Sequence, residues 1–266
     1  MKQKIFFIFI FFTLFSCGKV PTPEPGQSFD HFTGDFETGN LSGFHFLVKD
    51  STVNTIVVTN PVRKGNFALK NTLRPDDLVF NGYRSELAVY NCAKYKTEVY
   101  YGFSFMIDTA YSDEQFNIIC QWQDVPDFNQ GEDWNSIPVL HGSAPPVALV
   151  YVNGTLEIKM NENPNSNNET FLVGNAQTVN KGLWCDLVFH IYWCDDNSAF
   201  IEAWLNGCCF TPFNGTDNKF YSRNLFNRSG NYFKFGQYRG KDPTTHTNTI
   251  YFDEIKIGSS YNEVAP

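Results

Sequence analysis

Apolar and polar positions alternate with a period of two along much of this chain. The clearest stretch is Tyr232-Phe233-Lys234-Phe235-Gly236-Gln237-Tyr238-Arg239. As a β-strand it turns Phe233, Phe235 and Gln237 to one face, and Lys234, Gly236 and Tyr238 to the other. Comparable runs predict strands over 55–59, 84–90, 98–107, 117–123, 147–152, 155–160, 187–194, 199–205, 232–239 and 249–257. Asn153-Gly154 is a hairpin signal between two of them, and Asn206-Gly207 ends another. The polar stretch 124–143 reads as a long loop over one face, and a short helical turn is expected near 217–226. Long amphipathic helical patterns are absent. Many strands without helices to cover a parallel sheet predict an all-β fold, an antiparallel β-sandwich or jelly roll.

The start of the chain follows another pattern. Lys2 and Lys4 precede an apolar run from residue 5 to 12, and Leu14-Phe15-Ser16-Cys17 closes it. A charged start, a short apolar core and a small residue before the cut predict a secretory signal over 1–16 rather than a membrane span. The Leu-x-Ser-Cys ending looks like a bacterial lipoprotein box, so Cys17 is expected to be lipidated. Residues 17–28, with Thr22-Pro23-Glu24-Pro25-Gly26, then form a Pro-rich tether. One domain is expected over 29–266, exported and held at a bacterial membrane by its lipid alone, as a monomer.

Composition narrows the function. The formal net charge is −8, and losing Lys2 and Lys4 with the signal takes it to −10, which excludes general nucleic-acid binding. Aromatics make up 17% of the chain and Phe alone supplies 27 residues, which suits sheets with large inward-facing side chains. Six cysteines follow Cys17: Cys92, Cys120, Cys185, Cys194, Cys208 and Cys209. Export permits their oxidation, but their spacing fits no structural zinc site. Against the acidic background, 219–241 holds six basic residues (Lys219, Arg223, Arg228, Lys234, Arg239 and Lys241) and no Asp or Glu. That island predicts an anionic ligand.

Three strands carry polar residues at i and i+2 or i+4 on one face: Arg84 and Glu86, Gln121 and Gln123, Lys234 and Tyr238. Each pair alone fits the solvent face of a sandwich. Together they supply a guanidinium, amides, an ammonium and a phenol, a set suited to holding a carboxylate and moving a proton beside it. Gly236 between Lys234 and Tyr238 is expected to leave room for a ligand against the backbone. The ammonium is expected to favour the phenolate of Tyr238.

Arg84-Ser85-Glu86-Leu87, then Gln121, then Tyr232-Phe233-Lys234-x-Gly236-x-Tyr238 resembles the three-strand signature of jelly-roll polysaccharide lyases, notably family 7 alginate lyases. The flanks Asp35-Phe36-Glu37-Thr38-Gly39, Trp204-Leu205-Asn206-Gly207 and Ile250-Tyr251-Phe252-Asp253-Glu254-Ile255 are more similar to heparin lyase I-like and glucuronan lyase relatives. The resemblance spans residues 30–258. It implies a concanavalin A-like jelly roll that cuts an anionic, uronate-containing polysaccharide by β-elimination. It also implies that Arg84 and Gln121 neutralise the uronate carboxylate, with Lys234 assisting. Tyr238 would then serve at the scissile bond, and Glu86 would orient Arg84. Glu37 and Asp253 match a structural calcium site of related jelly rolls; the chemistry itself would need no cofactor.

The chain departs from the family pattern at Gln123, where a His is usual. An amide can donate to a carboxylate but cannot act as a general base. Three routes stay open: Tyr238 as both base and acid, an imidazole from His141 or His190 reaching the cleft, or binding kept without catalysis. Gln123 and Arg239 are expected among the substrate-binding residues. The paired-carboxylate pattern of hydrolases on this architecture is absent, so hydrolysis has no motif behind it.

Overall fold

The computed structural model of the chain describes residues 29–113, 116–133, 144–162, 171–241, 243 and 245–266, with the backbone alone at 91, 92 and 171. The expected leader and tether, Cys17, His141 and the side chain of Cys92 lie outside them.

Among the described residues seventeen strands follow one another, beginning with β1 (Phe32–Gly34), β2 (His45–Leu47), β3 (Thr55–Val58), β4 (Ala68–Leu73), β5 (Leu78–Val79) and β6 (Gly82–Ala93). Next come β7 (Thr97–Ile107), β8 (Asn117–Asp124), β9 (Val147–Val152), β10 (Thr155–Met160), β11 (Phe171–Thr178) and β12 (Trp184–Trp193). The last five are β13 (Phe200–Leu205), β14 (Cys208–Cys209), β15 (Phe220–Tyr221), β16 (Asn231–Tyr238) and β17 (Asn248–Gly258). One sheet runs β14-β13-β12-β7-β17-β4-β3, with β1 beside β17 and β15 beside β13. The other runs β11-β10-β9-β8-β16-β6-β2, with β5 on β6. All pairings are antiparallel, so the chain is a jelly-roll β-sandwich.

The core lies between the sheets and is built from the aromatics. Phe235 meets Phe252 edge-on at 5.3 Å between ring centroids, and Trp122 meets Phe189 at 4.9 Å; all four are fully buried. Such pairs add about 0.5–1.5 kcal/mol to the area they bury. Asn153-Gly154 and Asn206-Gly207 form two-residue turns with positive φ at both positions, closing β9–β10 and β13–β14. The helical turn expected near 217–226 is instead strand β15, paired to β13. Cys185 and Cys194 stand at opposite ends of straight β12, and these two, with Cys120, Cys208 and Cys209, carry free thiols.

Strand β4 was not expected from sequence, because its inward face reads Leu69, Asn71, Leu73. Asn71 is fully buried, and its amide donates to the Ser85 carbonyl and hydroxyl at 3.0 and 2.9 Å. Gln237 Nε2 in turn donates to Asn71 Oδ1 at 3.2 Å, and Asn117 Nδ2 donates to Gln237 Oε1 at 3.1 Å. This polar layer sits between the sheets, beneath one end of β6 and β16. It satisfies groups that burial would otherwise leave costly.

Candidate active site

Strand β16 lies between β8 and β6, so the three polar pairs meet on one face. Lys234 is opposite Gln121 on β8 and Ala88 on β6; Gly236 is opposite Glu86; Tyr238 is opposite Arg84. With Phe233 and Phe235 in the core, Lys234 and Tyr238 take the outer face of the eight-stranded sheet.

Glu86 is the centre of this cluster. Its Oε1 accepts from Gln121 Nε2 at 2.5 Å, while its Oε2 stands 3.3 Å from Arg84 Nη1 and 3.7 Å from Lys234 Nζ. Glu86, Gln121 and Lys234 are all buried. Two cations against one carboxylate leave a net positive charge. Burial pulls the Lys234 ammonium below its ordinary pKa and Arg84 adds to this, while Glu86 opposes it. Arg84 also lies over the Tyr238 ring, 4.2 Å from its centroid. Its Nε is buried without a hydrogen-bond partner among the described residues. A buried donor with no partner calls for an explanation, and an incoming anion supplies one.

Tyr238 is held from beneath. Its backbone N–H donates to Asn117 Oδ1 at 2.9 Å, at a register shift between β16 and β8. Burial raises the phenol above its ordinary pKa; Arg84 lowers it and Glu86 raises it. The expected bias toward phenolate is therefore overturned, because desolvation outweighs the neighbouring cation. Gly236 is also required for another reason than the expected one. With φ +131°, a Cβ there would come within 2.2 Å of the Ser85 carbonyl oxygen, so the glycine admits the β6 backbone rather than a ligand.

The basic island disperses on folding. Lys219 lies over the Phe200 ring, Arg223 donates to the Leu225 and Phe226 carbonyls, and Arg228 pairs with Asp195. Arg239 is buried and its guanidinium hydrogen-bonds Tyr111 in the interior, which removes it from the substrate-binding residues. Of the six, Lys234 reaches the cluster. His190 is likewise misplaced by the sequence expectation. It stands on β12 in the other sheet, between Glu98 at 2.6 Å and Glu202 at 3.2 Å, stacked on Tyr100. Gln123 keeps its place on the site face, half-buried and opposite Tyr232.

Three ring-bearing residues on this face escaped the sequence reading. Tyr232 stacks on Tyr90 at 4.7 Å, and His45 meets Tyr90 edge-on at 4.6 Å. The parity of Tyr90 and Tyr232 with Arg84 and Lys234 could have found the first two; His45 sits on a three-residue strand with no periodic signal. His45 pairs with Ala88, in the row of Lys234. That row is four residues along the sheet from Tyr238, roughly 13 Å.

Glu37 and Asp253, the expected calcium ligands, both meet the loop 63–67. Glu37 accepts the backbone N–H of Asn66 and Phe67, and Asp253 Oδ2 accepts those of Arg63 and Lys64. Both carboxylates thus hold one loop through its backbone donors. Burial pushes the Asp253 carboxyl up to about 6.

The all-antiparallel sandwich defines the class, a jelly-roll β-sandwich protein, here with a cationic, carboxylate-centred cluster beside a tyrosine on one sheet face. The chain belongs to the polysaccharide lyase family, whose model matches residues 36–256. It is an enzyme of that family, a polysaccharide lyase. No curated protein sequence matches it. Among solved structures it is similar to an endo-β-1,4-glucuronan lyase from the fungus Trichoderma reesei, at 21% identity over 88% of this chain and 98% of that one, with a TM-score of 0.68. It is also similar to the cellulose induced protein Cip1 (17% identity, 86% and 97% coverage, TM-score 0.55). A third match is a family 7 alginate lyase (15%, 82% and 95%, TM-score 0.54). At these identities the likeness is one of fold.

Proposed function

We infer that this lyase cleaves a uronate-containing polysaccharide by β-elimination at the Arg84–Glu86–Gln121–Lys234 cluster. The observation that carries this is the buried, unpartnered Arg84 Nε beside Tyr238. A uronate carboxylate bound there would be neutralised by Arg84 and Lys234, with the Gln121 amide alongside, which acidifies the C5 proton. The base removes that proton, the C4–O4 bond breaks with its electron pair on O4, a C4=C5 double bond forms, and O4 takes up a proton. Tyr238, with the Arg84 guanidinium over its ring, acts as both base and acid on one face of the sugar. The leader supports export and lipid anchoring at Cys17, which labelling of the full chain with radioactive palmitate checks; an unlabelled chain removes the anchor.

The test is a panel of glucuronan, alginate and heparin-like polymers followed by ultraviolet absorbance of the unsaturated ends. One polymer should give a rise, and Tyr238→Phe should lower it about 10²–10⁴-fold with the fold unchanged. A flat trace from folded wild type on every polymer ends the elimination reading; if one polymer still binds, the site is a glycan-binding one.

A further inference from the structure

The turn between β5 and β6 holds a residue that the fold does not favour. Leu78 pairs with Tyr83 and Val79 with Gly82, leaving Phe80 and Asn81 as a two-residue turn. Their φ values are +48° and +59°. A turn of this kind selects Asn, Asp or Gly at both positions. Asn81 conforms; a bulky Phe in the left-handed region is an outlier. Phe80 is also 77% exposed and Leu78 53% exposed, so neither is held there by the core. A strained, exposed aromatic side chain supports an inference from geometry to function.

The turn stands beside the site. A Cβ on Gly82 would come within 2.6 Å of Tyr238 Cε2 and 3.0 Å of Arg84 Nη2, so the hairpin passes directly against these two groups. Phe80 lies two residues beyond in the turn, a span of at most roughly 7 Å, the scale of one sugar in a chain. The base of the hairpin is rigid. The fully buried Asp77 carboxylate accepts from Arg74 N at 2.7 Å and from Asn54 Nδ2, and the Asp77 carbonyl accepts from Arg84 N at 3.0 Å. Tyr83 N donates to the Gly240 carbonyl at 2.7 Å. An exposed aromatic side chain carried on such a hairpin beside an anion site suits the apolar face of a pyranose.

We propose that Phe80 is a stacking platform for the sugar adjoining the one held at Arg84 and Tyr238, so that the enzyme grips its polymer over more than one residue. This rests on the elimination reading above. The test compares wild type, Phe80→Asn and Phe80→Tyr as full chains on glucuronan, or on whichever uronate polymer the wild type cleaves. Phe80→Asn should raise KM about fivefold, by more than any change in kcat, and Phe80→Tyr should stay near wild type. Because Asn suits the left-handed turn, Phe80→Asn should melt at the same temperature as wild type or higher. An unchanged KM overturns the platform; so does a lowered melting temperature, which would make Phe80 a folding residue. If the wild type cleaves no polymer, the elimination reading fails by itself. Retardation in glucuronan-containing native gels then decides: loss in Phe80→Asn supports the platform, and equal or absent retardation overturns it.

Discussion

Glu86 and Lys234 face each other at 3.7 Å across adjacent strands, both shielded from water. Glu86 is the group that raises the Lys234 pKa against burial and Arg84. Glu86→Gln leaves the buried Lys234 and the partly buried Arg84 without a counter-charge, at a cost of about 3–5 kcal/mol. The lysine pKa then falls further below that of the unfolded chain. Between those two values the unfolded state binds more protons, so stability rises with pH. The variant should therefore be less stable than wild type at pH 7 by urea denaturation, with a smaller deficit at pH 9. A deficit independent of pH would show that Glu86 does not govern the Lys234 charge.

Tyr238 predicts the direction of the rate profile. Its phenol is raised above the ordinary value, so the form able to take a proton from C5 is scarce near neutrality. Elimination should accelerate as pH rises into the alkaline range, measured as initial rates of ultraviolet absorbance under conditions where the fold persists. A rate that peaks below neutrality would assign the proton to another group.

Asp124, at the end of β8, offers a stability test away from the chemistry. It is buried, accepts from Asn227 Nδ2 at 3.2 Å, and its carboxyl is pushed up to about 8, first by burial and then by the charge of Glu132. From its ordinary value of 3.8 up to about 8, the native state holds a proton that the unfolded state has lost. Its contribution therefore falls as pH rises, by about 1.4 kcal/mol per unit in mid-window. Asp124→Asn keeps an acceptor and cannot ionise. Its stability relative to wild type should grow between pH 5 and pH 7 in denaturant titrations, and parallel curves would refute the shift.

Much of the sandwich was legible because period-two alternation is a local property. The strand pattern of β16 put Phe233 and Phe235 inside and Lys234 and Tyr238 outside, and the neighbouring sheet agreed. The Asn-Gly turns were equally legible, since φ > 0 at two successive positions is a requirement on residue type alone. Motif order carried the family.

What lay beyond the sequence depends on partners far along the chain. Asn71 breaks the apolar face of β4 because Ser85 and Gln237 reach it from the other sheet. Gly236 is dictated by the β6 backbone, and Arg239 turns inward to Tyr111. The run of basic residues reads as one patch in sequence, yet folding sends it to several surfaces. His190 and His45 show the same limit: alternation says that a residue leaves the core, not which sheet it leaves from. The sequence alone determined which side chains share a strand face. Only the tertiary structure decided which strands are neighbours, because antiparallel pairing joins segments more than a hundred residues apart, such as β6 and β16.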